Sequence, residues 1–157
     1  MSIPIPVGPV PIVLADFFVM LTGLFMGWKY GVLSVGLYLG LGVLGLPVFS
    51  GGSSGFAAIW GPTGGFLIGY LLLAATIGFI TSKGKSWFIT DLIGILLGNA
   101  FLYALGITWL KIRLEMSWPA AVTTGLVPFI PGTIIKIVVA LAISRMLVPG
   151  FKENLGK

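Results

Sequence analysis

The residues of this chain that could do chemistry are few and set far apart. Asp16 sits among Leu14, Phe17 and Phe18, and Lys136 follows Thr133 by three positions, on one helical face. An acid inside an apolar helix costs on the order of 2.5–3.5 kcal/mol at mid-bilayer, and less near the interface. Asp16 therefore either faces a cavity as a hydrogen-bond acceptor or reaches water and headgroups from an interfacial position. Lys136 is an ammonium that meets a ligand carboxylate or heteroatom, or one that snorkels to the surface, or a counter-charge for Asp16. Either way the chemistry on offer is recognition of a polar group.

Covalent chemistry finds no support. Cysteine and histidine are both absent, which removes disulfides, thiol nucleophiles, Cys/His zinc sites and Ser-His-Asp catalysis. No acid pair has metal-ligand spacing, and no GxxxxGK[ST] phosphate cradle is present. The expectation is no enzyme, no catalytic residue, no metal and no cofactor.

Three further groups are candidates. Thr63 and Gly64 open an apolar helix after the loop Gly61-Pro62-Thr63-Gly64-Gly65. Thr63 could cap that helix or offer its hydroxyl to a ligand, and free N–H groups at a helix start suit polar ligand atoms. Asn99 and Tyr103 stand one turn apart in a long apolar run, reaching a cavity or a neighbouring helix. Phe49, Trp60 and Phe129 lie in or beside outer loops, as walls of an apolar pocket or as an aromatic belt. Asp91 reads as a first-turn acid at the positive end of its helix.

The elements that must position these residues are membrane helices. Hydrophobic residues make up 57% of the chain and charged residues 8%, against roughly 25% charged in an ordinary soluble domain. The expected architecture is an all-α integral membrane protein, one compact bundle over residues 1–157 with five transmembrane helices and Gly/Pro-rich re-entrant outer loops. Residues 1–11 are too rich in Pro for helix interior and read as extended or re-entrant. Helices are expected at about Ile12–Gly27, Tyr30–Leu46, Gly64–Thr81, Trp87–Leu110 and Gly132–Leu147. The first two are shorter than the roughly 20 residues of a full span. A Gly-rich loop covers about 47–63, a basic turn 82–86, and a polar loop holds Lys111, Arg113 and Glu115. Small-xxx-small pairs, Gly65/Gly69, Gly94/Gly98 and Ala140/Ser144 among them, permit close helix contact.

The net charge of +5 does not point to nucleic acid, because the basic residues sit singly or in pairs at helix ends. Five helices put Lys29, Lys83, Lys85, Lys152 and Lys157 on one side, with Arg145 near it, and Lys111 and Arg113 on the other. The positive-inside rule makes the first side cytoplasmic. The C-terminus is then cytoplasmic, the N-terminus and the Gly/Pro loop face out, and Asp16, Thr133 and Lys136 share one depth.

Four blocks resemble one family. Pro4-Ile5-Pro6-Val7-Gly8-Pro9-Val10-Pro11-Ile12, Gly45-Leu46-Pro47-Val48-Phe49, Gly61-Pro62-Thr63-Gly64-Gly65-Phe66-Leu67-Ile68-Gly69 and Pro128-Phe129-Ile130-Pro131-Gly132 are similar, in order, to the BioY family. These are biotin-binding S components of energy-coupling factor (ECF) transporters. The resemblance implies a six-helix vitamin-capture subunit of the cell membrane. Its implied partners are biotin or a related small molecule, membrane lipid, a transmembrane coupling subunit and two ATPase subunits. It also implies a missing first helix: an N-terminally shortened form, or a start upstream of Met1. Two departures fall where the ligand is expected. The family's Thr-Leu-Gln is Val13-Leu14-Ala15 here, followed by Asp16, and the family's Pro-Gly-Asp-x-x-Lys is Pro131-Gly132-Thr133-Ile134-Ile135-Lys136. The family Asp, expected to accept N–H bonds from the biotin ureido ring, is Thr133, which lacks charge assistance. Asp16 facing the cavity would take over that acceptor role. The alternatives are an S component for a different small solute and a non-transporting structural membrane protein.

Overall fold

The computed structural model describes residues 2–3, 12–83 and 88–155, with side chains for 14–82 and 88–147. Two short strands, β1 (Ser2–Ile3) and β2 (Ile12–Val13), pair antiparallel. Helices α1 (Ala15–Val43), α2 (Phe56–Trp60), α3 (Gly64–Lys83), α4 (Phe88–Leu114), α5 (Trp118–Gly125) and α6 (Ile130–Leu155) follow. The extended reading of the N-terminus agrees with the strand pair where the chain is described; the Pro-rich residues 4–11 and the basic turn at 84–86 lie outside the described residues.

Four helical stretches among the described residues are long and apolar enough to cross a membrane: Ala15–Val43, Gly64–Ser82, Phe88–Leu114 and Trp118–Leu147. The expected count of five is therefore corrected to four. The two short helices expected around Gly27 are arms of the single element α1. Gly27 alone leaves helical geometry, with φ +72° and ψ −177°, a conformation open to glycine. At 1.5 Å per residue the arms reach about 18 Å and about 24 Å, each below the roughly 30 Å hydrocarbon core. They lie against each other: a Cβ on Gly31 would stand 3.4 Å from the Thr22 carbonyl oxygen and 3.5 Å from Gly23 Cα.

Other boundaries also shift. Helix α4 runs on through Lys111 and Arg113, which occupy its last turn, where cations suit the negative helix end. Ser117 caps α5 by accepting from Ala120 N–H at 3.4 Å, with Pro119 in the first turn. One 3-10 turn, Val127–Phe129, joins α5 to α6, so Pro128 and Pro131 punctuate the chain without stopping it.

Helix α3 is central, packed on α1 on one side and α4 on the other, while α6 closes against α1 and α4. Met20, Leu24, Leu73, Ala74, Ile77, Ile95, Leu102 and Ala140 form the core. Large apolar side chains such as Phe18, Leu33, Leu37, Phe79 and Val138 face outward, as a lipid-facing surface requires. One end of the bundle carries Lys29 beside the Gly27 bend, and Arg145, whose guanidinium lies 5.4 Å from the Phe88 ring. The other end carries Lys111 and Arg113 among Trp60, Trp109 and Trp118.

Gly78 fixes how close α3 comes to the bend. A Cβ there would overlap the backbone at Gly27 and Trp28, which has no side-chain freedom to yield. Gly36, in α1, has nothing within 4 Å of its Cβ position. Gly78→Ala is expected to destabilise by about 1–3 kcal/mol through overpacking. Gly36→Ala is expected to be neutral or to stabilise by about 0.5–1 kcal/mol through helix propensity. Thermal unfolding in detergent measures both, and equal midpoints for the two variants would contradict this packing.

Candidate functional site

The site starts from two helix ends brought together. Asp16 is in the first turn of α1, where free N–H groups favour an acid. Lys136 lies within α6, which packs on α1. Lys136 Nζ donates to both carboxylate oxygens of Asp16, at 2.8 and 2.9 Å. Asp16 is 7% exposed and Lys136 8%. Of the options open to these residues, the snorkelling lysine and the headgroup-facing acid are ruled out by that burial. The pair keeps two charges inside the bundle by cancelling them, as buried ions require.

The pair forms one wall of a cavity of about 50 Å³, lined also by Tyr38, Phe49, Ser50, Thr63, Phe66, Leu67, Tyr70, Leu102, Tyr103 and Phe129. The contributors come from α1, the loop after it, the start of α3, the middle of α4 and the α5–α6 junction. Thr133, one turn before Lys136, is buried and hydrogen-bonded to the Tyr103 hydroxyl at 2.6 Å. Phe66 meets the Tyr103 ring edge-on, with centroids 6.3 Å apart. The cavity thus has one ionic end and aromatic and aliphatic walls.

Of the ten candidate residues, Asp16, Phe49, Thr63, Tyr103, Phe129 and Lys136 line this cavity, and Thr133 joins it through Tyr103. Trp60, Gly64 and Asn99 do not line it. Trp60 is half exposed, 6.1 Å from the Trp109 ring and 5.5 Å from the Arg113 guanidinium, which also donates to its carbonyl at 2.6 Å. It fastens the loop before α3 to α4. Gly64 N–H is taken by the Gly61 carbonyl at 3.1 Å, and a Cβ at Gly64 would overlap the Ile59 carbonyl. Its bareness serves the tight turn into α3. Asn99 donates to Ile95 O at 2.9 Å and reaches Met20 Sδ, on α1, at 3.9 Å. Asp91 is buried, accepting from Ser144 Oγ at 2.9 Å between α4 and α6.

Sequence reading missed Tyr38, Ser50, Phe66, Leu67, Tyr70 and Leu102. A signal for two of them was present: Phe66 and Tyr70 are one turn apart immediately after the GPTGG loop, so both face the same way. Tyr38 and Ser50 carry no such signal, because only the bend at Gly27 brings the second arm of α1 beside Asp16.

The fold and site define a multi-pass helical membrane protein with a small, internally charged solute cavity. The sequence model of the BioY family matches residues 1–153, and the chain belongs to that family. It is 40% identical to the biotin transporter BioY of Thermotoga maritima over 147 residues, 92% of this chain and 85% of that protein. It is 39% identical to the biotin transporter BioY of Lactococcus lactis subsp. cremoris over 150 residues, 91% of this chain and 79% of that protein. The crystal structure of an S-component for biotin from an ECF-type ABC transporter superposes with a TM-score of 0.85 at 38% identity, covering 93% of this chain and 79% of that one. The chain thus stands with transport proteins and not with enzymes.

Removing one partner of the Asp16–Lys136 pair leaves a buried, uncompensated charge. Lys136→Met is expected to cost about 3–5 kcal/mol. Asp16→Asn/Lys136→Met together should recover most of that loss. Thermal or denaturant unfolding of the detergent-solubilised protein measures the cycle, and additive single effects would show that the two groups are not coupled.

Proposed function

We propose that this chain is the substrate-capture S component of an ECF-type transporter and that biotin is its cargo. The observation that carries the reading is the buried Asp16–Lys136 pair set in an otherwise aromatic and aliphatic cavity. Biotin presents a cyclic urea, whose N–H groups donate and whose carbonyl accepts, on a fused apolar ring. A carboxylate beside an ammonium offers the complementary acceptor and donor. On capture the pair opens, the urea N–H donates to Asp16, and Lys136 donates to the urea oxygen. Both bonds are charge-assisted. Asp16 thereby supplies from α1 the charged acceptor that the Thr133 hydroxyl on α6 cannot be. Phe66, Tyr70, Leu102, Tyr103 and Phe129 take the apolar ring, and Thr63 stands at the start of α3 as a further polar contact. Family membership and the names of the relatives support the same cargo.

No reaction occurs on this chain. Transport requires an energising module, a transmembrane coupling subunit with two ATPases, that turns the loaded protein. By sequence, Lys83, Lys85, Lys152 and Lys157 add to Lys29 and Arg145 against Lys111 and Arg113, so the positive-inside rule favours the Lys29 and Arg145 end as the cytoplasmic one. On this reading the C-terminus of α6 is cytoplasmic and the cavity faces outward.

Equilibrium binding of labelled biotin to the detergent-purified protein tests the proposal. Saturable binding is expected, weakened at least tenfold by Asp16→Asn and by Lys136→Ala. Biotin amide, which keeps the urea and loses the carboxylate charge, should bind within about threefold of biotin, because the pair already cancels its own charge. Absence of biotin binding by folded protein would reject the cargo, and loss of binding with the amide alone would place the carboxylate, not the urea, at Lys136.

A further inference from the structure

A second cavity, of about 270 Å³, lies between the two arms of α1 and the loop that follows it. Phe18, Val19 and Thr22 line it from the first arm, and Ser34 and Val35 from the second. It shares Tyr38, Phe49 and Ser50 with the ionic cavity. Of these shared residues, Phe49 is the most deeply buried. Phe49 is 4% exposed and seats on Gly42, where a Cβ would overlap the ring. Its edge meets Tyr38 with centroids 5.7 Å apart, and Tyr38 Oη donates to Val48 O at 3.1 Å. Gly55 N–H donates to Gly42 O at 2.7 Å and ties the loop down beside that seat.

We infer that the two cavities are compartments of one binding site, joined when Phe49 leaves its seat on Gly42, and that the second compartment takes the aliphatic chain of the captured solute. This rests on the biotin reading above. Three observations carry it. The ionic cavity alone has room for only a few waters, well short of the roughly 300 Å³ at which small-molecule sites begin. With the second cavity joined, the space reaches that size. The Oγ of Ser50, a residue on the shared wall, is buried without a hydrogen-bond partner among the described residues, a cost that a polar ligand atom crossing the seam would remove. Among the described residues the lining of the second cavity carries no charged side chain, so it suits methylene groups.

Equilibrium binding of biotin and of analogues with progressively shortened chains tests this. In the unmodified protein, affinity is expected to fall about fourfold per methylene removed. Ser34→Phe and Thr22→Leu, on opposite arms of α1, fill the second compartment without touching Asp16 or Lys136. Each should lower biotin affinity and flatten the series to less than twofold per methylene. Gly42→Ala displaces the Phe49 ring and should raise the biotin association rate several-fold. An unmodified protein that binds biotin with no dependence on chain length overturns the inference alone. So do variants that bind with the original slope, or an unchanged association rate in Gly42→Ala. An unmodified protein that binds no biotin overturns the cargo reading and this inference with it.

Discussion

Two opposite charges buried inside a membrane bundle set the terms for everything around them. Neither Asp16 nor Lys136 is tolerable alone at their burial, so α1 and α6 must hold them within 3 Å of each other. That requirement fixes the first turn of α1 against α6 and leaves a polar point in an apolar cavity. A neutral pair is also a selective one. It can open toward a group that donates and accepts at once, while a lone carboxylate could only accept.

The rest of the bundle serves that geometry through close backbone approach. Gly23 meets Ile77, Gly98 meets Leu73 and Gly69 meets Leu102, so α3 can pass between α1 and α4 without bulky side chains holding them apart. The bend at Gly27 then folds the second arm of α1 back beside the first. Tyr38 is thereby brought near Asp16, and the loop after Val43 reaches the same cavity as the start of α3. Arg113, Trp60 and Trp109 fasten that loop to α4 at the same end, which is why Phe49 and Thr63 reach the cavity together.

Much of this was legible in the sequence. Membrane residence follows from the scarcity of charge, and the helices after the Gly-rich loop follow from long apolar runs. The common depth of Asp16, Thr133 and Lys136 came from assigning basic residues to ends. It survives the change in helix number because the bend at Gly27 returns the chain to the end where α1 began. What was not legible depends on tertiary contacts. A Gly-x-Lys break reads as a loop between two helices, whereas one positive φ makes it a bend within one element. Trp60 and Asn99 look like ligand groups because polar or aromatic residues near a cavity do so on paper; in space they fasten a loop and bridge two helices. Gly64 opens α3 as expected, yet its N–H is spent on the turn before it. Ser50 and Tyr38 enter the site only through the bend.

The structure of the protein with biotin bound tests the central claim most directly. The urea oxygen is expected within hydrogen-bond distance of Lys136 Nζ, a urea nitrogen within hydrogen-bond distance of the Asp16 carboxylate, and the Asp16–Lys136 contact lengthened to admit them. A bound state in which the ion pair stays closed, or in which the biotin carboxylate sits on Lys136 with Asp16 turned away, would contradict it.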